Sequence, residues 1–134
     1  MGEKTLVDEL VEDSIKLIRQ LDASGMAPGL VVWYFYEDAD EWRLLIAGHA
    51  YDELIKKNEA LGYQKLSESI SSADLQTISI SLVKLINSNS PLAVALSSLI
   101  GTPPNGLVRA HFADTTLNGI FIKEMLVIRS AKGA

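Results

Sequence analysis

Apolar residues Val7, Leu10, Val11, Ile15, Ile18 and Leu21 recur at three- and four-residue spacings, while Asp8, Glu9, Glu12, Asp13, Lys16 and Arg19 fall mostly between them. That period predicts an amphipathic helix from about Lys4 to Leu21. Acids crowd its first half and Arg19 lies toward its end, as the helix dipole favours, and Ser24-Gly25 followed by Pro28 forms a stop signal.

The pattern then changes to continuous apolar runs. Gly29 to Tyr36 and Trp42 to Ala47 flank the acidic stretch Glu37 to Glu41, which predicts two strands joined by a five-residue turn. In that register Tyr36 stands opposite Trp42, Tyr34 opposite Leu44 and Val32 opposite Ile46, with Phe35 facing Arg43 on the reverse side. Both faces are largely apolar, as in a central strand covered on two sides by helices or by another subunit.

Beyond His49, the positions of Leu54, Ile55 and Leu61 predict a second helix over about Asp52 to Leu61, with Asp52 as its N-cap and Gly62 as its stop. Ser67 to Asp74 is polar and serine-rich. In Gln76 to Leu82 the alternation of Ile78, Ile80 and Leu82 predicts a half-buried strand. Ser90-Pro91 opens a short third helix over Leu92 to Ile100, which ends at Gly101.

Asn118-Gly119 is the dipeptide a type I′ turn favours, and it separates the strand-like stretches Leu107 to Leu117 and Ile120 to Arg129. A two-residue loop sets Leu117 opposite Ile120, Asp114 opposite Lys123, His111 opposite Leu126 and Arg109 opposite Ile128, unless a bulge near Thr115-Thr116 shifts the scheme. The whole reads as a single α+β domain over residues 1–134. Its sheet is mainly antiparallel, with about five strands in two hairpins plus one strand, packed with about three helices. No internal repeat or dividing linker interrupts it.

Composition narrows the chemistry. The 134 residues are 48% hydrophobic and 22% charged, with nine Gly and four Pro, so the chain can bury a core and is not of disordered or collagen-like composition. Zero cysteines exclude thiol catalysis, disulfides, thiolate zinc sites and cysteine-held iron–sulfur clusters. The beginning of the chain lacks the pattern of a secretory leader, and the apolar run Leu92 to Ile100 is too short to span a bilayer, so the expected setting is cytoplasmic with no membrane partner.

The net charge of −5 is unevenly spread: Met1 to Asp74 carries 7 basic and 15 acidic residues, and Leu75 to Ala134 carries 5 basic and 2 acidic. Complementary halves can pair within a fold or between subunits, whereas the acidic half repels a phosphate backbone and disfavours nucleic acid. The basic group Arg109, Lys123, Arg129 and Lys132 is too sparse for a DNA footprint and suits an acidic protein partner better.

Candidate chemistry is thin. His49-Ala-Tyr-Asp52 and His111-Phe-Ala-Asp114 share a His-x-x-Asp spacing; on a strand that spacing points to opposite faces, so His49 and Asp52, at a strand-to-helix junction, are the freer metal candidates. The hairpin register puts His111, Glu124 and Arg109 on one face, the minimum for a carboxylate-oriented imidazole acting as acid or base. Gly101 to Gly106 has the glycine spacing of a phosphate loop but contains Pro103 and Pro104 and has Leu107 where the lysine belongs, so it reads as a turn. The acidic turn Glu37 to Glu41 lacks the glycine and terminal glutamate of a calcium loop. No motif identifies a family, and no cofactor is implied.

Taken together, the residues point to a small interaction module, homodimeric through the apolar hairpins or the first helix. Arg109, Lys123, Trp33 and Tyr34 are its contact candidates. The alternative is a small enzyme or ligand-binding protein with Arg109, His111 and Glu124 as polar groups and Trp33 and Tyr34 as walls.

Overall fold

A computed structural model describes Leu6 and residues 8–131. The order is α1 (Asp8–Ala23), β1 (Leu30–Tyr36), β2 (Glu41–Ala47), α2 (His49–Lys57), α3 (Glu59–Ser72), a 3-10 turn (Ile80–Leu82), β3 (Val83–Leu85), α4 (Pro91–Leu99), β4 (Ala110–Leu117) and β5 (Ile120–Ser130). The fold is α+β with one five-stranded sheet in the order β3-β2-β1-β5-β4. All pairings are antiparallel except β2 with β3, so the sheet is mixed. The described residues form four α-helices where three were expected.

The helix α1 follows the apolar stripe and ends two residues beyond Leu21. Gly25 adopts φ +80 and the Met26 N–H reaches back to the Leu21 carbonyl at 3.0 Å, the left-handed closure that the Ser24-Gly25 signal implies. Val7, the helix start expected at Lys4, and Lys132 lie outside the described residues.

As expected, β1 is central: Val31, Val32 and Trp33 are fully buried although they alternate between faces. The hairpin register differs by one residue from expectation. Phe35 pairs with Trp42, Tyr34 with Arg43 and Tyr36 with Glu41. The turn holds four residues because Asp40 takes a positive φ of 52, its N–H bonds to the Glu37 carbonyl at 3.2 Å, and Glu41 is released into β2. The slip places Phe35 and Trp42 in one core, with ring centroids 5.4 Å apart.

Two layers cover the sheet unequally. Leu17, Ile18 and Leu21 of α1, Tyr51 of α2 and Leu66 of α3 share a core with Val31, Trp33, Leu44 and Ile46. The opposite face, built on Leu30, Val32, Leu45, Met125 and Val127, receives Ala93 and Leu96 of α4. Three helices therefore pack on one side and one on the other.

The region after His49 departs most from the sequence pattern. The expected helix from Asp52 to Leu61 is two helices, broken at Asn58, whose extended backbone caps α3 through a side-chain bond to the Ala60 N–H at 3.0 Å. Gly62 does not stop a helix. It lies inside α3, where a Cβ would come within 2.5 Å of Leu85 Cδ1, so its missing side chain admits the β3 residue. Asp52 is no cap either: its carboxylate accepts from the Ser88 N–H at 3.1 Å and from the Ser88 hydroxyl.

The strand expected over Gln76 to Leu82 is absent, and Asp13 explains why. Buried in α1 rather than on its polar side, Asp13 Oδ2 accepts from the Gln76 N–H (3.0 Å), the Thr77 N–H (2.8 Å) and the Thr77 hydroxyl (2.7 Å). Amides held by a helix carboxylate cannot join a sheet ladder, and strand structure begins only at Val83. The Thr77 hydroxyl bond is the main reason that the Asp13 carboxyl sits below its ordinary pKa; burial opposes it, and the Thr77 and Gln76 amides and Lys16 assist.

Arg129 is the second inversion. The β1–β5 register passes from Val32↔Val127 to Val31↔Arg129, a bulge at Ile128. It brings both Ile128 and Arg129 to the side of α1, where the fully buried guanidinium grips Asp22 with two bonds, Nη1–Oδ1 at 2.8 Å and Nη2–Oδ2 at 2.9 Å. Nε donates to the Gly106 carbonyl at 2.8 Å and Nη1 also to the Pro28 carbonyl at 3.3 Å. An acidic partner protein has no access to this cation.

Two outcomes follow. Arg129→Ala or Asp22→Ala leaves the remaining charge buried and unpaired, and urea unfolding should show a loss of about 3–5 kcal/mol; a loss below about 1 kcal/mol would show that the pair does not organise the fold. For Asp13 the folded pKa lies below the unfolded one, so its contribution is complete above about pH 4 and disappears as the pH falls through the lowered value. Asp13→Asn should be less stable at pH 7 by about 2–3 kcal/mol and should lose less further stability on acidification than the parent chain.

Candidate functional site

The β4–β5 hairpin carries the candidate acid–base residues, and its turn forms as the dipeptide predicts, with Asn118 at φ 47 and Gly119 at φ 81. Leu117 pairs with Ile120 and His111 with Leu126, and the Asp114–Lys123 ion pair closes at 3.3 Å. The irregularity lies at Asp114, which has a positive φ of 46, rather than at Thr115-Thr116.

This register brings His111 and Glu124 together. Glu124 sits diagonally across the ladder, and its Oε2 lies 2.7 Å from His111 Nε2. Arg109, just before β4, turns instead to Glu12 of α1 at 3.3 Å, so the triplet shares a sheet face without meeting at one point. The His111 and Glu124 side chains are 55% and 31% exposed. Ring and carboxylate are in hydrogen-bond contact, but in solvent, without the dry enclosure that strengthens such groups in catalytic sites.

Trp33 and Tyr34 do not form walls of one pocket. They are neighbours on β1 and point to opposite faces. Trp33 is wholly enclosed on the side of α1, and its indole N–H has no acceptor. Tyr34 is half-buried beside Tyr36, with ring centroids 5.0 Å apart; burial, with Tyr36 adding, raises its phenol pKa. Lys84 lies 5.3 Å above the Tyr36 ring.

His49 is the first residue of α2 and is exposed, at a cleft of about 200 Å³ lined by small residues such as Gly29, Gly48, Ser97 and Ala131. Its expected companion Asp52 is turned to Ser88. Among the described residues, no three of His, Cys, Asp or Glu gather into a group able to hold a metal ion.

The surface that the candidate residues missed is α4. Val94 is 47% exposed and Leu99, at its flank, 50% exposed, while Ala93 and Leu96 face the sheet and Ala95 is also buried. The helix lies within Leu85 to Val108, 24 residues with no Asp, Glu, Lys or Arg and the longest uncharged run of the chain. That run was the available signal; read for periodicity alone, it yields only a short helix. No helix among the described residues is long and apolar enough to cross a membrane.

The fold and site thus define an α+β protein with one thinly covered sheet face and an apolar helix on it. Comparison with protein-family models, with curated proteins and with solved structures gives no match.

A solvent-exposed polar contact contributes little to stability, so His111→Ala and Glu124→Gln should each change the unfolding free energy by less than about 1 kcal/mol. A loss of several kcal/mol in thermal or urea unfolding would make the pair a structural element.

Proposed function

We propose that this chain is a protein-interaction module whose contact surface is the outer side of α4. The carrying observation is a helix without a single charge that keeps Val94 and Leu99 about half exposed. Exposed surface helices ordinarily carry a polar outer stripe, and an apolar one marks contact with a further surface. The burial of Trp33 and Arg129 supports moving the contact away from the first hairpin and the basic group.

The alternative of small-molecule chemistry at Arg109, His111 and Glu124 has the 2.7 Å His111–Glu124 contact in its favour. Its exposure, and the diversion of Arg109 to Glu12, favour the interaction reading.

The test is a comparison of the proteins retained by the immobilised parent chain with those retained by Val94→Asp and Leu99→Asp. Both variants should keep the parent's melting temperature within about 3 °C, because each changes a half-exposed position. The expected result is loss of the retained set by both variants and its persistence with His111→Ala. Retention by the α4 variants, with loss on His111→Ala, would overturn the proposal in favour of the hairpin site.

A further inference from the structure

We propose that the occupant of the α4 face is a second copy of this chain, packed α4 against α4 about a twofold axis, in a weak association that salt does not loosen. This rests on the reading of α4 as the contact surface and adds the identity of the partner.

Charge is the first argument. The uncharged run extends beyond α4 on both sides, so its exposed positions from Asn87 to Asn105 offer no ion pair to a charged partner. Elsewhere the chain carries 17 acidic and 12 basic residues, for a net charge of −5, so two copies repel wherever their acidic surfaces meet. Contact through the neutral strip puts no like charges opposite each other, and an isologous contact matches the strip with one of the same length and neutrality. The complementary charge of the two halves could pair between subunits, whereas an α4 contact works by leaving charge out.

Geometry agrees. Pro91, Val94 and Ser98 follow one another at three- and four-residue spacing along the exposed side, small enough for close helix approach, with Leu99 at the flank. Val94 lies near the middle of the nine-residue helix, so in an antiparallel crossing it meets its own symmetry mate near the axis. One substitution there acts twice.

Area sets the strength. Ten positions of the run are exposed, against about 20–30 residues on each side of a standard interface. Only four of these, Pro91, Val94, Ser98 and Leu99, lie on α4 itself, so the association is expected to be weak.

Sedimentation equilibrium of the whole chain from about 5 to about 500 µM, in about 0.05 M and about 0.5 M NaCl, tests this. The expected result is a monomer–dimer equilibrium in that range, shifted less than about twofold by salt. Val94→Asp and Leu99→Asp should abolish it, Val94→Ser should weaken it, and Phe121→Asp, at an exposed aromatic that alternates away from the buried Ile122, should leave it intact; circular dichroism melts confirm folding of each variant. A particle that stays monomeric at the highest concentration overturns the second copy as occupant, whether α4 then proves to hold another protein or a lipid surface. The interaction reading fails separately, if the α4 variants also retain every protein the parent retains. A dimer that dissociates in high salt, or survives Val94→Asp and is lost in Phe121→Asp, overturns the α4 axis.

Discussion

The guanidinium of Arg129 is where the pieces of this fold are tied together. It stands fully buried near the end of β5 and joins Asp22 of α1, the Gly106 carbonyl before β4 and the Pro28 carbonyl before β1. Withdrawing such a charge from water is expensive, and a buried pair is no guarantee of net stability over an apolar substitute. Its effect is to select one arrangement: α1 must lie where Asp22 reaches the sheet, and the bulge at Ile128 must turn Arg129 to that side. Tyr51 of α2 is part of the same neighbourhood, with its hydroxyl on the Met26 carbonyl at 2.7 Å; burial, and secondarily the charge of Asp22, raise its phenol pKa. Asp13 repeats the device one helical stretch earlier, holding the 76–77 amides to α1.

These polar staples and three helices concentrate on one face of the sheet. The other face is left to α4, a helix of nine residues that turns Ala93 and Leu96 to it. A helix this short turns only part of its circumference to the strands, and Val94 and Leu99 are left in solvent. The asymmetry of the two layers is thus the physical source of the proposed contact surface. Trp33, Phe35 and Trp42 of the first hairpin, by contrast, are consumed as core.

The hairpin with His111 and Glu124 shows the limits of proximity as an argument for catalysis. Imidazole and carboxylate are in hydrogen-bond contact, but both are open to solvent, which screens what they could do to a third group. Arg109, which a converging site would need, satisfies itself on α1.

Much of the architecture was legible because it depends on near neighbours in the chain. The α1 stripe and its Gly25 stop, the Asn118-Gly119 turn with its register down to the Asp114–Lys123 pair, the Pro91 start of α4 and the central position of β1 are all set by local conformational preference and the alternation of burial. His111 and Glu124 came together for the same reason, since one tight turn fixes their diagonal. What the chain order could not decide depends on partners far away in sequence. Asp13 and Arg129 read as solvated charges until residues some 64 and 107 positions distant surround them, and Gly62 reads as a stop until Leu85 fills its missing side chain. The one-residue slip between β1 and β2 came from Asp40 accepting a left-handed backbone that favours glycine, and it pairs Phe35 with Trp42 in one core. Sequence by itself determined α1, the two hairpins, the start of α4, the absence of thiol chemistry and the neutral run around α4; tertiary structure decided the elements between His49 and Leu85, which charges are buried and which apolar residues stay outside. The reason is that desolvation belongs to the assembled surroundings of a residue and not to the residue itself.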